Sequence, residues 1–327
     1  MVARPAAPRI AVPEHLSAAA FAGHDDSLPI VDLAGETMGT YWTVRFAAPR
    51  GCVATAIQSA IEARLGAIVD EMSHWRPDST LCRFNAAPEG CWLSLPPDFA
   101  HVIAAGIAVA EASDGAFDPA MGRLTDLWGI GPRPATSPPS QAAIAAALGQ
   151  SGWRRLAFDP AARRLRQPGG LWLDLSGIAK GHAVDAVADL LAAHGVAHAL
   201  VEIGGELAGR GVRPDLDPWW VDLETPAAGI APLRIALHQL AIATSGDYVR
   251  GPHTIDPRTG MPLIDAMAVS VCHPSAMIAD AWATALSVAG AIDGPRYAER
   301  HGIAARWIWR DGDGHREILS PAFAAML

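Results

Sequence analysis

Two polar residues interrupt an otherwise apolar segment near the end of the chain. Asp280 and Thr284 stand four residues apart in AMIADAWATALSVA, where the spacing of apolar residues predicts a helix over Ala276–Ala289. Because residues at i and i+4 share one helical face, a carboxylate and a hydroxyl would point the same way. These oxygens suit Mg²⁺, which takes few protein ligands and completes its shell with phosphate or water. The simpler alternative is a helical aspartate beside a threonine that bonds a main-chain carbonyl.

Lys180 is the only lysine in the chain, although the sequence contains 25 lysine and arginine residues together. It follows the turn Ser176-Gly177, between a predicted strand at Leu171–Leu175 and a helix that ends at Gly195. A lone lysine here indicates a need for a compact ammonium and not for a planar guanidinium. The alternative is a solvated helix residue of no special role.

The segment around Lys180 has a layout suited to binding a phosphate. A second predicted strand, Ala199–Ile203, runs into Gly204-Gly205. Unpaired N–H groups at the start of the intervening helix attract anions, and the glycines permit close approach of a ligand.

A polar loop offers a candidate base. His253 stands in HTIDPRTG, within a stretch rich in Ser, Gly, Asp and Pro that follows a predicted strand at Leu233–Ala243, and such loops often display ligand-binding groups. A histidine titrates near neutral pH and is a natural general base, although a structural role is the alternative for any one of 12 histidines. Asn85, the only asparagine, either holds a turn or contacts a ligand.

Composition limits the classes of function. The net charge of −9 and a pI near 5.7 argue against a nucleic-acid partner. No uninterrupted apolar run is long enough to span a bilayer. The cysteines lack metal-ligand spacing and are expected to be reduced structural thiols, with disulfides left open; they are Cys52, Cys82, Cys91 and Cys272.

We divide the chain into a flexible N-terminal arm, residues 1–28, and one domain, residues 29–327. The arm is rich in Pro, Ala and His. It has no continuous apolar h-region and no lipidation cysteine, so the chain as given is expected to be cytoplasmic.

Amphipathic helices alternate with short strands, which indicates the α+β class without fixing a topology. The remaining predicted helices are Ala54–Met72, Asp98–Ala112 and Gln141–Leu148. The remaining predicted strands are Thr37–Phe46, Trp219–Glu224 and Val269–Cys272, with hairpins at Leu156–Arg166 and at Ala304–Trp309 with Arg316–Leu319. The proline-rich stretch Gly131–Ser140 is the best candidate for an internal linker.

Eight motifs, taken in order, resemble the ApbE family of flavin transferases, the FAD:protein FMN transferases. They are ETMGTYWTV, MSHWRPDSTLCRFN, GAFDP, DLSGIAKGHAVD, VEIGGEL, TSGDY, HTIDPRTG and ADAWATAL, and they cover the chain from about residue 36 onward. The resemblance implies a T-fold-related α+β fold with antiparallel sheets backed by helices. It also implies a Mg²⁺-dependent reaction that takes FAD, releases AMP and joins FMN through its phosphate to a threonine of an acceptor protein with an FMN-binding domain.

The resemblance implies roles for residues that match the family's motifs. His253 is then the catalytic base, and the metal is held by Asp280, Thr284 and the carbonyl of Gly177. The implied FAD contacts are Met38, Trp75, Ala116, Phe117, Asp118, Asp174, Lys180 and Ile255. The chain departs from the family pattern at Trp75 and His182, where members often have tyrosine.

Two other functions are open, of which the first would use nearly the same residues. A Mg²⁺-dependent FAD pyrophosphatase would use water in place of the threonine. A flavin-binding carrier would need neither a base nor a catalytic metal, so His253, Asp280 and Thr284 together argue against it.

Overall fold

The computed structural model describes residues 7–227, 229–247, 251, 253–264, 266–312 and 314–327. Its mixture of helices and mainly antiparallel sheets confirms the predicted α+β class. The strands are β1 (Arg9–Ala11), β2 (Ile30–Thr37), β3 (Thr40–Ala47), β4 (Trp92–Ser94), β5 (Ala157–Asp159), β6 (Arg164–Arg166), β7 (Ala199–Ile203), β8 (Glu206–Arg210), β9 (Trp219–Leu223), β10 (Leu233–Leu237), β11 (Leu240–Ser245), β12 (Ala266–His273), β13 (Ala304–Asp311) and β14 (Gly314–Leu319). The α-helices are α1 (Ala54–Met72), α2 (Thr80–Ala86), α3 (Pro97–Ala112), α4 (Gly122–Leu127), α5 (Gln141–Gln150), α6 (Ala179–Ala193), α7 (Ala276–Arg300) and α8 (Pro321–Ala324).

The main sheet has the strand order β14-β13-β12-β11-β8-β7-β3-β2, and every neighbouring pair is antiparallel. Two smaller sheets have the orders β1-β10-β9 and β4-β6-β5. One face of the main sheet carries α1, α6 and α7. The residues of β11 alternate between the two faces of the main sheet. Ala241 and Ala243 pack in the helical layer, whereas Ile242 packs on the other face against α8 and the sheet β1-β10-β9, called the small sheet below.

Two strands predicted as continuous are each divided by a tight turn. The predicted strand Thr37–Phe46 is wrong at its start, because Met38 and Gly39 have φ of 50° and 70° and join β2 to β3 in a two-residue hairpin. The predicted strand Leu233–Ala243 is divided at Gln239, with φ of 53°, into β10 and β11. Neither Met38-Gly39 nor His238-Gln239 is an Asn-Gly or Asp-Gly pair, so the usual sequence signal of a tight hairpin turn is missing at both places.

Leu171–Leu175 is also not a strand. Its backbone groups bond to the start of α4, to a loop and to a side chain and not to a strand: the N–H of Gly122 donates to the Trp172 carbonyl at 2.9 Å, the N–H of Asp174 donates to the Pro119 carbonyl at 2.9 Å, and the N–H of Leu173 donates to Asn85 Oδ1 at 2.7 Å. The run is apolar because it crosses the core, where Leu171, Leu173 and Leu175 are buried. It leads through Ser176-Gly177 into α6.

The N-terminal segment is partly integrated into the fold, in contrast to the predicted flexible arm. β1 pairs in parallel with β10, Ala11 is fully buried, and the Arg9 guanidinium contacts Glu317 in β14. Three residues are too few for a strand to be recognised from alternation. The predicted domain boundary at residue 29 stays a prediction.

The proline-rich stretch 131–140 connects α4 to α5 within the domain. These two helices pack on each other through a small apolar cluster that contains Leu124 and Ile144. The stretch is therefore a surface loop between neighbouring helices and does not separate two domains.

The four cysteines are free, as expected from their spacing. Cys272 is buried in the core beneath the small sheet, and burial raises the pKa of its thiol. A thiol that is hard to ionise there behaves as a small apolar side chain.

α7 is the central helix of the core. The predicted end at Ala289 coincides with an interruption at Gly290, which has φ of 77°, after which helical structure continues to Arg300. Among the described residues it is the one helix whose length and hydropathy would suit a bilayer crossing. Most of its apolar side chains are instead buried against α6, β11 and β12.

α6 and α7 approach closely at Gly181, and this contact can be tested. A Cβ at Gly181 would stand 2.3 Å from the Ala276 carbonyl oxygen and 2.8 Å from Asp280 Cβ. We expect Gly181→Ala to lower the free energy of unfolding by about 1–3 kcal/mol or more, because the helices must separate. Urea unfolding measures this.

The control is Gly66→Ala in α1, where a Cβ would meet nothing within 4 Å. That variant should gain about 0.5–1 kcal/mol, since alanine is the better helix former. Equal effects of the two substitutions would contradict the close approach of α6 and α7.

Candidate active site

The start of α6 holds a carboxylate of α7. The N–H of Gly181 donates to Asp280 Oδ2 at 3.0 Å, and Asp280 is only 6% exposed. The first turn of a helix carries unpaired N–H groups and partial positive charge, so it stabilises an anion. The predicted anion-binding end of α6 therefore binds a side chain of this chain, which fixes Asp280 in place.

Lys180, one residue earlier, contacts a second buried carboxylate. Its Nζ lies 2.5 Å from Glu206 Oε1, and Glu206 is 2% exposed. Burial raises the pKa of Glu206 to about 7, with the Lys180 ammonium acting in the opposite direction and Asp280 adding to the rise. Burial likewise raises the pKa of Asp280, and Lys180 opposes that shift.

Glu206 follows Gly204-Gly205, which have φ of 61° and 101° and turn β7 into β8. Its Oε2 is buried and has no hydrogen-bond partner among the described residues. Two buried carboxylates therefore interact with one ammonium, and a cation bound beside them would favour their ionised forms.

The oxygen donors for such a cation come from α7 and from the turn before α6. A Cβ on Gly177 would stand 2.9 Å from Thr284 Oγ1 and 3.4 Å from Phe117 Cε2, so the turn lies directly against the threonine hydroxyl. In the described part of the chain, no three His, Cys, Asp or Glu side chains are placed to hold a metal. The predicted ligands Asp280 and Thr284 offer a carboxylate and a hydroxyl, which are hard oxygen ligands of the kind that Mg²⁺ takes.

The turn Ala116-Phe117-Asp118 is held by its own carboxylate. Asp118 Oδ1 accepts from the Ala120 N–H at 2.7 Å, and Oδ2 accepts from the Trp153 N–H at 3.0 Å. Burial raises the pKa of Asp118 to about 6, against the opposing effect of these N–H groups. The side chains of Ala116 and Phe117 are buried as well, so the turn forms a fixed wall beside Gly177.

Asp174 is fixed from three sides. Its Oδ2 accepts from Thr125 Oγ1 at 2.5 Å, its Oδ1 accepts from the Ser176 N–H at 2.8 Å, and its own N–H donates to the Pro119 carbonyl at 2.9 Å. Asn85 holds the preceding residue, because its amide accepts from and donates to the main chain of Leu173. Asn85 therefore fixes a distant segment from within α2, and does not hold a turn as one of its two interpretations had it.

Trp75 presents an exposed ring beside His74, which in turn lies near the Asp174 carboxylate. Its side chain is 64% exposed, its ring centroid lies 5.8 Å from that of His74, and His74 Nδ1 lies 4.0 Å from Asp174 Oδ1. A ring of this kind can stack on an isoalloxazine. Met38 stands in the β2–β3 turn, and Thr40 beside it packs against Gly204.

His253 lies on the loop between β11 and β12 and is exposed. Its Nδ1 lies 2.9 Å from the Gly251 carbonyl oxygen, which can only accept, so Nδ1 is the donor and, in a neutral imidazole, the lone pair is on Nε2. The loop borders α7, because His253 and Ser287 line one small cavity. Asp280, Thr284 and Ser287 follow one another at i, i+4 and i+7, and so lie along one side of the helix.

Ile255 does not offer its side chain to a ligand. It is 2% exposed and packs with Leu124 and Ile144, while its backbone bridges to Pro262. A contact of Ile255 with FAD would have to come from its main chain. Tyr248, the last residue of the TSGDY motif, lies outside the described residues.

A family model described as the ApbE family matches residues 38–307. The chain belongs to the ApbE family. The FAD:protein FMN transferase of Vibrio cholerae is 34% identical over 320 residues, which cover 94% of this chain and 95% of that protein. The FAD:protein FMN transferase of Klebsiella pneumoniae is 32% identical over 311 residues, which cover 90% of this chain and 89% of that protein.

Solved ApbE structures have the same fold. The apo form of the Pseudomonas stutzeri flavinyl transferase ApbE superposes with a TM-score of 0.86 at 38% identity, covering 91% of this chain and 97% of that chain. The Vibrio cholerae flavin transferase ApbE superposes with a TM-score of 0.85 at 33% identity, covering 92% and 100%. The predicted family and fold are thereby confirmed.

The fold brings most of the predicted ApbE site residues into one connected region. Gly177 links Phe117 to Thr284, the start of α6 links Lys180 to Asp280, and Thr125 links Asp174 to the α4 cluster that contains Ile255. Their individual contacts with FAD or a metal stay predictions. Sequence reasoning missed Glu206, although its acidic side chain directly follows the two glycines of the VEIGGEL motif.

His182 lies outside this region, at a cleft between α1, α3 and α6. It is buried, its Nε2 lies 3.6 Å from Asp98 Oδ1, and burial lowers its pKa against the effect of Asp98. The departure from the ApbE pattern at this position therefore lies on the side of α6 that faces α3.

The two interpretations of Lys180 predict different behaviour. Lys180→Met should remove FAD binding and destabilise the fold by about 3–5 kcal/mol, because Glu206 is left buried and unpaired. Lys180→Met with Glu206→Gln should recover most of the stability, since no uncompensated charge remains, and still fail to bind FAD. Urea unfolding and titration with FAD measure the two properties separately.

A solvated helix lysine would give neither result. Normal FAD affinity in the double variant would limit the role of Lys180 to pairing with Glu206. Glu206→Gln alone is the control, because it shows what the glutamine side chain does to stability and to FAD binding while Lys180 is still present.

The raised pKa of Asp118 makes the stability of the fold depend on pH in a defined direction. Because the pKa rises from 3.8 in the unfolded chain to about 6 in the fold, the folded state holds this proton more tightly. The contribution to stability is complete below pH 3.8 and is lost as pH rises through about 6, a change of about 3 kcal/mol. Asp118→Asn cannot ionise, so the wild-type stability minus that of the variant should fall by most of this amount, about 2 kcal/mol, between pH 4 and pH 7.

The measurement is urea unfolding at each pH. The control is Asp159→Asn. Hydrogen bonds from the Ala162 N–H and Arg164 lower the pKa of Asp159, so its contribution to stability is present at neutral pH and is lost as the pH falls. A flat difference for Asp118→Asn would show that this carboxyl titrates normally in the fold.

Proposed function

We propose that this protein transfers FMN from FAD to a threonine hydroxyl of a separate acceptor protein and releases AMP. The observation that carries the proposal is His253, an exposed histidine whose Nε2 lone pair is left open by the Nδ1 contact with Gly251, on a loop that borders the α7 side with Asp280 and Thr284. A base placed beside a cation-binding helix suits attack of an alcohol on a pyrophosphate.

The proposed reaction forms one phosphorus–oxygen bond, breaks another and moves one proton. The threonine oxygen attacks the phosphorus of the FMN half, the bond from that phosphorus to the bridging oxygen breaks, and AMP leaves with that oxygen. His253 takes the threonine proton at Nε2 as the new phosphoester forms. An alcohol is almost fully protonated at neutral pH, so its attack benefits from such a base.

The residues around Asp280 fit Mg²⁺, which would be held by its carboxylate, by Thr284 Oγ1 and by the carbonyl of Gly177. When bound, the ion would supply positive charge to the pyrophosphate oxygens. Asp280 is pre-positioned for this role by the Gly181 N–H. Lys180, held by Glu206, adds a fixed ammonium at the start of α6.

The exposure of His253 favours a macromolecular acceptor. A base that serves only water can stand in a closed pocket, whereas a threonine on another protein needs an open approach. The chain itself does not contain the short Asp-to-Thr acceptor stretch of the family, so the acceptor is a second protein with an FMN-binding domain.

The test is mass spectrometry of an acceptor domain after incubation with the protein, FAD and Mg²⁺. The acceptor should gain one FMN group on a threonine while AMP is released. His253→Ala should bind FAD normally and transfer FMN about 10²- to 10⁴-fold more slowly, because the general base is lost. Asp280→Ala should remove turnover and leave the fold intact.

The matched control is His194→Ala. His194 is also exposed, and its Nδ1 also lies 2.9 Å from a main-chain carbonyl oxygen, that of Leu190, at the far end of α6. Free FMN and AMP with an unmodified acceptor, across several acceptors, would identify a pyrophosphatase. Bound FAD that stays intact would identify a carrier.

A further inference from the structure

One arginine holds both ends of the loop that carries His253. Arg310 NH1 and NH2, on β13, donate to the two carboxylate oxygens of Asp247 at 2.9 and 3.1 Å. NH1 also donates to the Ile264 carbonyl oxygen at 2.7 Å. Asp247 follows the end of β11, and Ile264 precedes β12, so a single guanidinium joins the entry and the exit of the loop.

The entry side continues to the imidazole through two hydrogen bonds. The Asp247 carbonyl accepts from the Gly251 N–H at 2.9 Å, and the Gly251 carbonyl accepts from His253 Nδ1 at 2.9 Å. The side chain and the carbonyl of Asp247 therefore connect Arg310 to the group that sets the tautomer of His253.

The exit side returns to the residues just after His253. The N–H of Leu263 donates to the Thr254 carbonyl at 2.8 Å, and Ile255 bridges to Pro262. These bonds pair the strand-like segments on either side of the HTIDPRTG turn. Arg310 holds the end of the second segment at Ile264.

We infer that Arg310 is a positioning residue for His253 in the transfer reaction. The inference rests on the proposed function of His253. A guanidinium can bond a carboxylate through two nitrogens and still donate to a carbonyl, whereas an ammonium lacks this planar fork. Arg310 also lies beyond residues 38–307, the span matched by the family model, so family membership alone does not assign it a role.

The test compares Arg310→Gln with a matched control, Arg234→Gln. Arg234 makes the same two-bond contact with Asp222, at 2.6 and 2.8 Å, on the small sheet away from the loop. Arg310→Gln should lower kcat for FMN transfer by about tenfold to a hundredfold, since a small misplacement of a catalytic group has effects of that size. FAD affinity should stay unchanged, and Arg310→Lys should recover little. Arg234→Gln should transfer FMN at the wild-type rate.

Coupling to His253 separates positioning from a general loss of structure. In a His253→Ala background, Arg310→Gln should cause no further decrease in kcat, because the residue that it positions is already absent. An equal decrease in both backgrounds, or rates for Arg310→Gln that match those for Arg234→Gln, would overturn the inference. A wild-type rate for His253→Ala would instead contradict the proposed function and leave the Arg310 effect, if present, to another cause.

Discussion

The candidate site depends on the burial of two carboxylates against one ammonium at the start of α6. Glu206 and Asp280 are almost fully inaccessible, and an isolated buried carboxylate is strongly unfavourable. Lys180 and the first N–H groups of α6 offset that cost, which requires the helix to begin within hydrogen-bonding distance of α7. Gly181 makes this approach possible, since any side chain there would collide with Ala276 and Asp280.

The sequence could indicate the members of the site better than their contacts. Rarity indicated Lys180, and helical spacing indicated Asp280 and Thr284, because both signals are local. The contact of Lys180 with Glu206 spans 26 residues, and that of Asn85 with Leu173 spans 88. Such contacts follow from the order of strands and the crossing of helices, which no periodicity in the chain specifies.

The same limit explains the errors in the fold. The helices α1 and α3 were placed almost at their observed ends, since a repeated apolar face defines them over several turns. The run Leu171–Leu175 is as apolar as a strand, but its hydrogen bonds go to loops and to Asn85. Hydrophobicity predicts that a segment is buried, and only the partners of its backbone decide whether it is a strand.

The proposed reaction places different physical demands on the residues that would bind FAD and on the loop that carries His253. The residues beside Gly177 and Asp280 lie on helices and a rigid turn, which suits a small charged substrate that must be oriented closely. His253 has to be open to a second protein, so it stands on an exposed loop, and a loop alone gives poor positional accuracy. Hydrogen bonds from Arg310 to Asp247 and Ile264 reduce that freedom without covering the imidazole. In the proposed reaction, one loop would thereby combine access for a large acceptor with accurate placement of the base.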